Sequence, residues 1–321
     1  MQQSSIPKYL LKRLLMAIFV LLLVTIIVFG AVRLAPGDPV QAKIGPYGDY
    51  SEENIARVRA ELGLDKPFVV QYLIWVRDGL RFDFGVSLRN GAPVGQLIMQ
   101  KIPVSLELIV LSMLIAILIS IPLGVFSAIK KGTVFDQIVS VTSTGFLAIP
   151  SFSLGLLLMI VFAVQLKWLP PNGYVAFRDN PLMNLRYILM PAITLAMLEQ
   201  ASLTRYIRSE TIEIINSNYV RTAKAKGLSP KMVYFKHAFK NVLVTVITLI
   251  GMRFAQLIGG TVIVEQLFGW SGLGWFLYQS IVNRDYPAVQ ATVLLVAVAF
   301  IFLNMLVDVM YTVIDPRIKL S

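Results

Sequence analysis

One histidine, no cysteine and no glycine–lysine pair leave this 321-residue chain few routes to covalent chemistry. Thiolate catalysis, disulfides and Cys-ligated metals are excluded. His237 alone cannot build a His-Glu-x-x-His zinc motif, and a phosphate-binding loop requires Gly-Lys before its Ser or Thr. The chain is therefore not expected to hydrolyse ATP itself. What remains is charge set inside apolar sequence: Glu107, Glu199, Arg253, Glu265 and Asp308. Arg253 lies mid-run in Gly-Met-Arg-Phe-Ala-Gln, where a lipid-facing charge is costly, so it is expected to face the bundle interior or a wet cavity. A pathway-lining role and a structural pairing, with Glu199 for example, both stay open. Glu107, Glu265 and Asp308 can reach an interface and read most simply as anchors. A proton-coupled carrier would more often show several acids at membrane depth.

A second group of residues offers a contact instead of a reaction. Asn218-Tyr-Val-Arg-Thr-Ala-Lys-Ala-Lys-Gly-Leu-Ser-Pro-Lys-Met-Val reads as two short helices with a sharp corner. Asn218 is expected to cap the first helix and Gly227 to end it in the left-handed conformation. Ser229 then caps a second helix with Pro230 at its first position. The first helix is too short to form a core and too basic for a bilayer, which marks it as something for another protein to hold.

The elements that position these residues are membrane helices. The chain is 56% hydrophobic and 15% charged, with a mean hydropathy of +0.72, far too little charge for a soluble domain. A span needs roughly 20 apolar residues. Six candidates meet that length: 10–32, 103–129, 137–166, 187–206, 241–264 and 286–308. Leu14–Val32 is longer than a typical signal-peptide core and has no clear small-residue cleavage site, so it is read as a retained first span. Glu199 and Arg205 interrupt the fourth candidate. Pro150 inside the third predicts a kink. The small-residue run Gly251–Gly260 permits close helix approach in lipid, or simply ordinary bundle packing.

The net charge of +11 follows membrane topology and not nucleic-acid binding. If the N-terminus is inside, the inner connections hold Lys8, Lys12, Arg13, Lys130 and Lys131, the basic run from Arg205 to Lys240, and Arg317 and Lys319. The short outer connections hold only Lys167, Arg178, Arg186 and Arg284. Both termini are thus expected to be cytoplasmic. The long segment 33–102 falls outside and carries both signs of charge. Within it, Ile55, Val58 and Leu62 share one helical face, with Ser51 before and Gly63 after. A second helix is expected over Pro67–Leu80 with Tyr72, Trp75 and Val76 along one side.

The corner segment resembles the cytoplasmic "EAA" loop of bacterial ABC importer permeases. Of the general pattern only Ala223 and Gly227 match. The dipeptide/oligopeptide branch is much closer, and is similar at Asn218-Tyr-Val-Arg-Thr-Ala-Lys-Ala-Lys-Gly-Leu228 and at His237-Ala-Phe-Lys-Asn241. Further branch-like strings are Arg33-Leu-Ala-Pro-Gly-Asp-Pro39, Leu62-Gly-Leu-Asp-Lys-Pro67, Ile121-Pro-Leu-Gly124, Ile149-Pro-Ser-Phe152, Gly269-Trp-Ser-Gly-Leu-Gly274, Arg284-Asp-Tyr-Pro287 and Asp315-Pro-Arg317. They occur in order over nearly the whole chain.

The resemblance implies an all-α integral membrane protein of the type I ABC importer permease fold, with six transmembrane helices and a small extracytoplasmic domain after the first. It divides the chain into a cytoplasmic N-terminus and first helix (1–32), an extracytoplasmic segment (33–98), a permease core with its coupling loop at 209–238 (99–312), and a cytoplasmic tail (313–321). The implied partners are a second, related permease, two ATP-binding subunits, an extracytoplasmic solute-binding protein, membrane lipid and a peptide substrate. No cofactor is expected on this chain, and ATP with Mg is used by the partners. Tyr219, Arg221, Thr222, Ala223, Lys224, Ala225, Lys226, Gly227 and Leu228 would form the coupling contact with an ATPase. Arg253, Glu199, Ser151 and Ser153 are the candidate pathway-lining residues. The branch also carries nickel chelates, glutathione and sugars, and selectivity belongs largely to the binding protein.

Overall fold

The structure is a computed structural model that describes residues 6–34, 38–45, 47–225 and 239–314. It is helical almost throughout and divides into two compact units. The first is built on residues up to 105 together with 271–301, and the second on 106–270 and the residues from 302.

The first unit starts with α1 (Ile6–Leu34), apolar along most of its length and largely exposed on the described residues, with Val28 and Phe29 buried near its end. Asp38 accepts a hydrogen bond from the Val40 amide at 2.9 Å and caps α2 (Pro39–Ile44), with Pro39 in the first turn where its missing N–H has no cost. This accounts for the Asp-Pro end of the 33–39 string. Ser51 caps α3 (Glu52–Glu61) by accepting from the Asn54 amide, as the sequence predicts, and Gly63 follows the helix. The second expected helix is α4 (Phe68–Leu80), preceded by Pro67. Phe29 packs edge-on to Phe68 and Tyr72, with ring centroids 5.2 and 5.6 Å away, and lies 5.6 Å from Trp75.

The rest of this unit is the start of α5 (Val94–Ile129), α12 (Leu273–Val282) and the start of α13 (Tyr286–Ile314). Val94, Ile98, Leu273, Ala288 and Ala291 form its core. Asp285, in the 284–287 string, is buried and accepts from the Ser87 hydroxyl and the Leu88 amide, which ties the 85–93 turn to the start of α13.

The second unit contains the rest of α5, α6 (Val134–Ala148), α7 (Ser151–Leu158), α8 (Pro181–Asn216), α9 (Asn218–Ala225), α10 (Phe239–Gly260) and α11 (Val262–Phe268). The kink expected at Pro150 is a full break. Ile149 and Pro150 are both extended, with ψ of 124° and 141°, and the helices on either side are bent by 102°. Proline drives its predecessor out of the helical region, so two successive residues leave the helix. After α7 the chain runs on as a π-helical segment, Met159–Gln165.

Gly124, from the 121–124 string, marks the crossing of α5 on α8. A Cβ there would lie 2.7 Å from Ile207 Cγ2 and 3.0 Å from the Thr204 carbonyl oxygen, so only glycine permits the approach. The Gly251–Gly260 run divides in two. Gly251 lies against Val307 of α13, whereas a side chain at Gly259 or Gly260 would meet nothing within 4 Å among the described residues. Trp270 is buried edge-on to Tyr174 at 4.7 Å, and the Gly173 amide donates to the Phe268 carbonyl at 2.8 Å, which fastens the 170s loop to the end of α11.

Glu265 departs from its expectation. It is not an interfacial anchor but lies on the short α11 with 0% exposure, where its carboxylate accepts from Thr261 at 2.9 Å. The helix breaks at Thr261, and Glu265, four residues on, bonds back to the Thr261 hydroxyl. Glu107 lines an apolar groove with Leu111, Phe177 and Leu182, and the side chain of Asp308 lies outside the described residues. Among the described residues four helices, in α1, α5, α8 and α13, are long and apolar enough to cross a membrane, or five if α6 and α7 form one broken span. The candidate run 241–264 falls largely on α10, a 22-residue helix.

Candidate functional site

The corner segment begins where α8 ends. α8 opens with Asn180 accepting from the Met183 amide and Pro181 in its first turn, and runs 36 residues through an internal Pro191. Ser217 ends it in an extended conformation, with φ −66° and ψ 154°. Its hydroxyl donates to the Ile214 carbonyl at 2.7 Å and accepts from the Val220 amide at 3.5 Å, so one serine closes α8 and caps α9. The cap is thus Ser217 and not Asn218. A capping residue must itself be non-helical, and the extended backbone belongs to Ser217, whereas Asn218 is the first residue of α9.

Among the described side chains of α9, one is buried. Val220 is 0% exposed, whereas Arg221, Thr222 and Ala225 are exposed. Spacings of three and four residues place Thr222 and Arg221 beside Ala225, so the three share a face. Thr222 donates to the Asn218 carbonyl at 3.0 Å, which leaves its methyl and Cβ as the outer surface. Tyr219, Ala223 and Lys224 belong to the same helix, though their side chains lie outside the described set. Lys226, Gly227 and Leu228, with the second helix from Ser229, also lie outside the described residues.

Eight residues before the end of α8, Arg208 grips Asp136 at the start of α6. Arg208 Nε donates to Asp136 Oδ1 at 2.6 Å and Nη2 to Oδ2 at 2.8 Å, a two-pronged ion pair. Asp136 also accepts from Ser127 Oγ and from the Gly132 amide at 2.9 Å, and is buried. Four donors on one carboxylate tie together the end of α5, the 130–133 turn, the start of α6 and the lower part of α8. Sequence reasoning counted Arg208 only as a topology charge and passed over Asp136. An acid in the first turn of a helix, just after Gly132-Thr133, was the available signal.

Further up α8, Glu199 meets Arg253 of α10. The guanidinium Nε lies 4.0 Å from Glu199 Oε2, Nη2 donates to Ser202 Oγ at 2.6 Å, and Nη1 donates to Gln256 Oε1 at 3.2 Å. The group also lies 5.8 Å from the centre of the Tyr206 ring. The pairing of Arg253 with Glu199 is present, and its looseness leaves the guanidinium directed at neutral hydroxyl and amide oxygens. Ser151 and Ser153 sit in the first turn of α7, after the Pro150 break, and neither hydrogen-bonds to Arg253 among the described residues.

α8 therefore carries three features in series: the Arg253 cluster at 199–202, the Asp136 clamp at 208, and α9 beyond 217. At 1.5 Å per residue, Glu199 to Asn216 spans about 26 Å of continuous helix.

The sequence as a whole matches known proteins. Residues 120–320 match the model of the binding-protein-dependent transport system inner membrane component, and residues 6–109 match the N-terminal region of such membrane components. A transport-system permease protein of Brucella abortus (strain 2308) is 42% identical over 311 residues, covering 97% of this chain and 98% of that one. The oligopeptide transport system permease protein AppB of Bacillus subtilis (strain 168) is 39% identical over 314 residues, 97% and 99% of the two chains. The glutathione transport system permease protein GsiC of Salmonella typhi is 37% identical over 311 residues, 97% and 98%. With its apolar helices and a match that runs along nearly its full length, the chain belongs to the family of binding-protein-dependent transport system inner membrane components, and is a multi-pass membrane permease.

Proposed function

We propose that the chain is the permease subunit of an ATP-driven importer of dipeptides or oligopeptides. It forms half of the translocation pathway and couples it to partner ATPases. The observation that carries the coupling role is α9: a capped helix with Val220 buried and an exposed face of Arg221, Thr222 and Ala225, following the end of α8 in a chain that lacks a phosphate-binding loop. The proposed contact also takes in Tyr219, Ala223, Lys224, Lys226, Gly227 and Leu228, by the resemblance of this stretch to the permease coupling loop. The substrate class follows from similarity over 97% of the chain to a permease named for oligopeptide transport.

In this reading there are six spans. The bent α6–α7 pair and α10 join the four long helices, both termini and the 209–238 loop are cytoplasmic, and 33–98 is extracytoplasmic. Residues 99–312 form the permease core and 313–321 the tail. A second permease, two ATP-binding subunits that use ATP with Mg, and a solute-binding protein complete the machine. Arg253 and Glu199, with Ser151 and Ser153, line the pathway, where a polar and uncommitted wall suits a solute bearing both an amine and a carboxylate. Glutathione as the substrate is the second reading, favoured by the GsiC relative, and it is itself a peptide.

The test is uptake in proteoliposomes. The complete assembly should accumulate labelled peptide only with its binding protein and internal or external ATP on the ATPase side, and Gly227→Asp should abolish uptake while the chain still inserts. Proton-driven uptake by the purified chain alone would overturn the reading.

A further inference from the structure

We propose that α4, although it follows the first span, does not stand in water but lies in the membrane interface and packs one aliphatic face against lipid acyl chains, in the leaflet that holds the C-terminal end of α1. This is independent of the importer reading and requires only that α1 and α13 span the bilayer. Depth carries it. The apolar stretch of α1, Leu11–Leu34, is 24 residues long, about 36 Å at 1.5 Å per residue. Centred on a hydrocarbon core of about 30 Å, it leaves about 3 Å over at each end. α4 packs below that end. Thr25 bonds with the Tyr72 hydroxyl at 2.9 Å, and Phe29 packs on Phe68, Tyr72 and Trp75. Residues 25 and 29 precede Leu34 by nine and five positions, so these contacts fall about 11 and 5 Å inside the hydrocarbon boundary.

The far end of α4 gives the same depth from a second span. A Cβ on Gly79 would lie 3.9 Å from Leu294 Cδ2 of α13, a helix whose Pro287 lines the same cavity as Arg33 of α1. Leu294 is eight residues into the α13 stretch Tyr286–Val307, which is 22 residues or about 33 Å, and so lies about 10 Å inside the boundary. With both ends at one level, the 13-residue helix runs along the interface instead of crossing it. Interfacial helices sink by about 5–10 Å, and Tyr and Trp, here Tyr72 and Trp75, are the residue types of the membrane-interface belt.

Helical spacing separates three faces of α4. Phe68, Tyr72, Trp75 and Gly79 turn to α1 and α13. Gln71 and Asp78 line a cavity with Lys43, Lys66 and Asp83, so the polar groups turn away from the third face. That face is Val69, Leu73, Val76 and Leu80, spaced i, i+4, i+7 and i+11, with Val69, Leu73 and Leu80 exposed. On α1, Leu22, Ile26 and Ile27 are exposed in the same way. Two features select lipid over another helix. Helices that meet within a bilayer bring small residues together, yet this face has only Val and Leu, and the one glycine of α4 lies on the packed face. Arg77, at the edge of the stripe, pairs with Asp78 at 2.8 Å and is long enough to reach toward the phosphates, so no bare charge enters the acyl layer.

The absence of native cysteine lets the depth be read directly. Leu73→Cys and Leu80→Cys, made singly so that one label disturbing the helix does not void the test, carry a bimane fluorophore in the assembled transporter. The transporter is reconstituted in phosphatidylcholine vesicles with and without bromine on the acyl chains. Ile27→Cys on α1 is the lipid-facing reference, and Arg57→Cys, at an exposed cation of α3, the aqueous one. Quenching by brominated lipid at both α4 positions should come within about twofold of position 27 and exceed position 57 by about fivefold or more. Quenching by aqueous iodide in place of brominated lipid would put α4 in water and overturn the proposal. Quenching by neither would mean that a protein surface covers the stripe, and would overturn lipid as its occupant. The readout does not depend on transport, so its failure and that of the importer reading are separately visible.

Discussion

Replacing Asp136 by Asn keeps the shape of the clamp and removes its charge. The carboxylate accepts from Arg208 Nε and Nη2, from Ser127 Oγ and from the Gly132 amide, two donors to each oxygen. Asparagine retains one acceptor oxygen, and its amide turns two N–H groups toward donors on the other side. One guanidinium N–H and one neutral donor lose their partner, and Arg208 loses its counter-charge. A charge-assisted hydrogen bond contributes about 1.5–3 kcal/mol and an orphaned buried donor costs about 1–3 kcal/mol. Arg208 is 27% exposed, so water recovers part of its loss, and the expected destabilisation is about 3 kcal/mol. Reversible unfolding of the purified permease in mixed micelles measures it. A cycle with Arg208→Gln separates the pair from its surroundings, and a coupling energy of about 2 kcal/mol is expected. A destabilisation of Asp136→Asn below about 0.5 kcal/mol, or a cycle that closes to zero, would refute the clamp.

Three other outcomes follow from packing and charge. Gly124→Val places Cβ within 2.7 Å of Ile207 and should destabilise the α5–α8 crossing by about 1–3 kcal/mol in the same unfolding assay, with Ile207→Ala restoring part of the loss. Val220→Ala removes two buried methyl groups from the only described anchor of α9, about 1–2 kcal/mol, and should raise the ATP hydrolysed per peptide transported without lowering chain abundance. The Lys43 hydrogen bond holds the Glu61 carboxyl below its usual range, so the tie between α2 and α3 is complete above the unfolded-state pKa of about 4.3 and is lost as pH falls through the lower folded value. Amide exchange in α2 should therefore be indifferent to pH between 7 and about 5 once intrinsic rates are removed, and should accelerate only under stronger acid.

Local signals in the sequence located most of the helices. The apolar runs mark α1, α5, α8, α10 and α13 because a membrane helix must be apolar over its whole length. Ser51 and Gly63 bound α3, and Pro67 precedes α4, because caps are local chemistry. What local reading missed depends on residues far apart. Asp136 and Arg208 are 72 positions apart, and Asp285 and Ser87 are 198 apart, so nothing near either acid announces its partner. Glu265 looked interfacial because its burial depends on the break at Thr261. The cap shifted from Asn218 to Ser217 because both residues are good caps and only the backbone at the end of α8 decides between them. In the candidate site, Arg253 and Glu199 were legible as costly charges within apolar sequence, whereas the Ser202, Gln256 and Tyr206 contacts that surround Arg253 were not.

The central claim is that the exposed face of α9 meets an ATP-binding subunit, and the absence of native cysteine makes it directly testable. Ala225→Cys and, as a comparison, Ser51→Cys are introduced singly into the assembled transporter and treated with a short thiol cross-linker, the ATPase carrying one engineered cysteine in its groove. Ala225→Cys should form a cross-link with the ATPase whose yield changes with bound nucleotide, and Ser51→Cys should form none. An ATPase that cross-links to position 51 and not to position 225 would contradict both the coupling role and the topology.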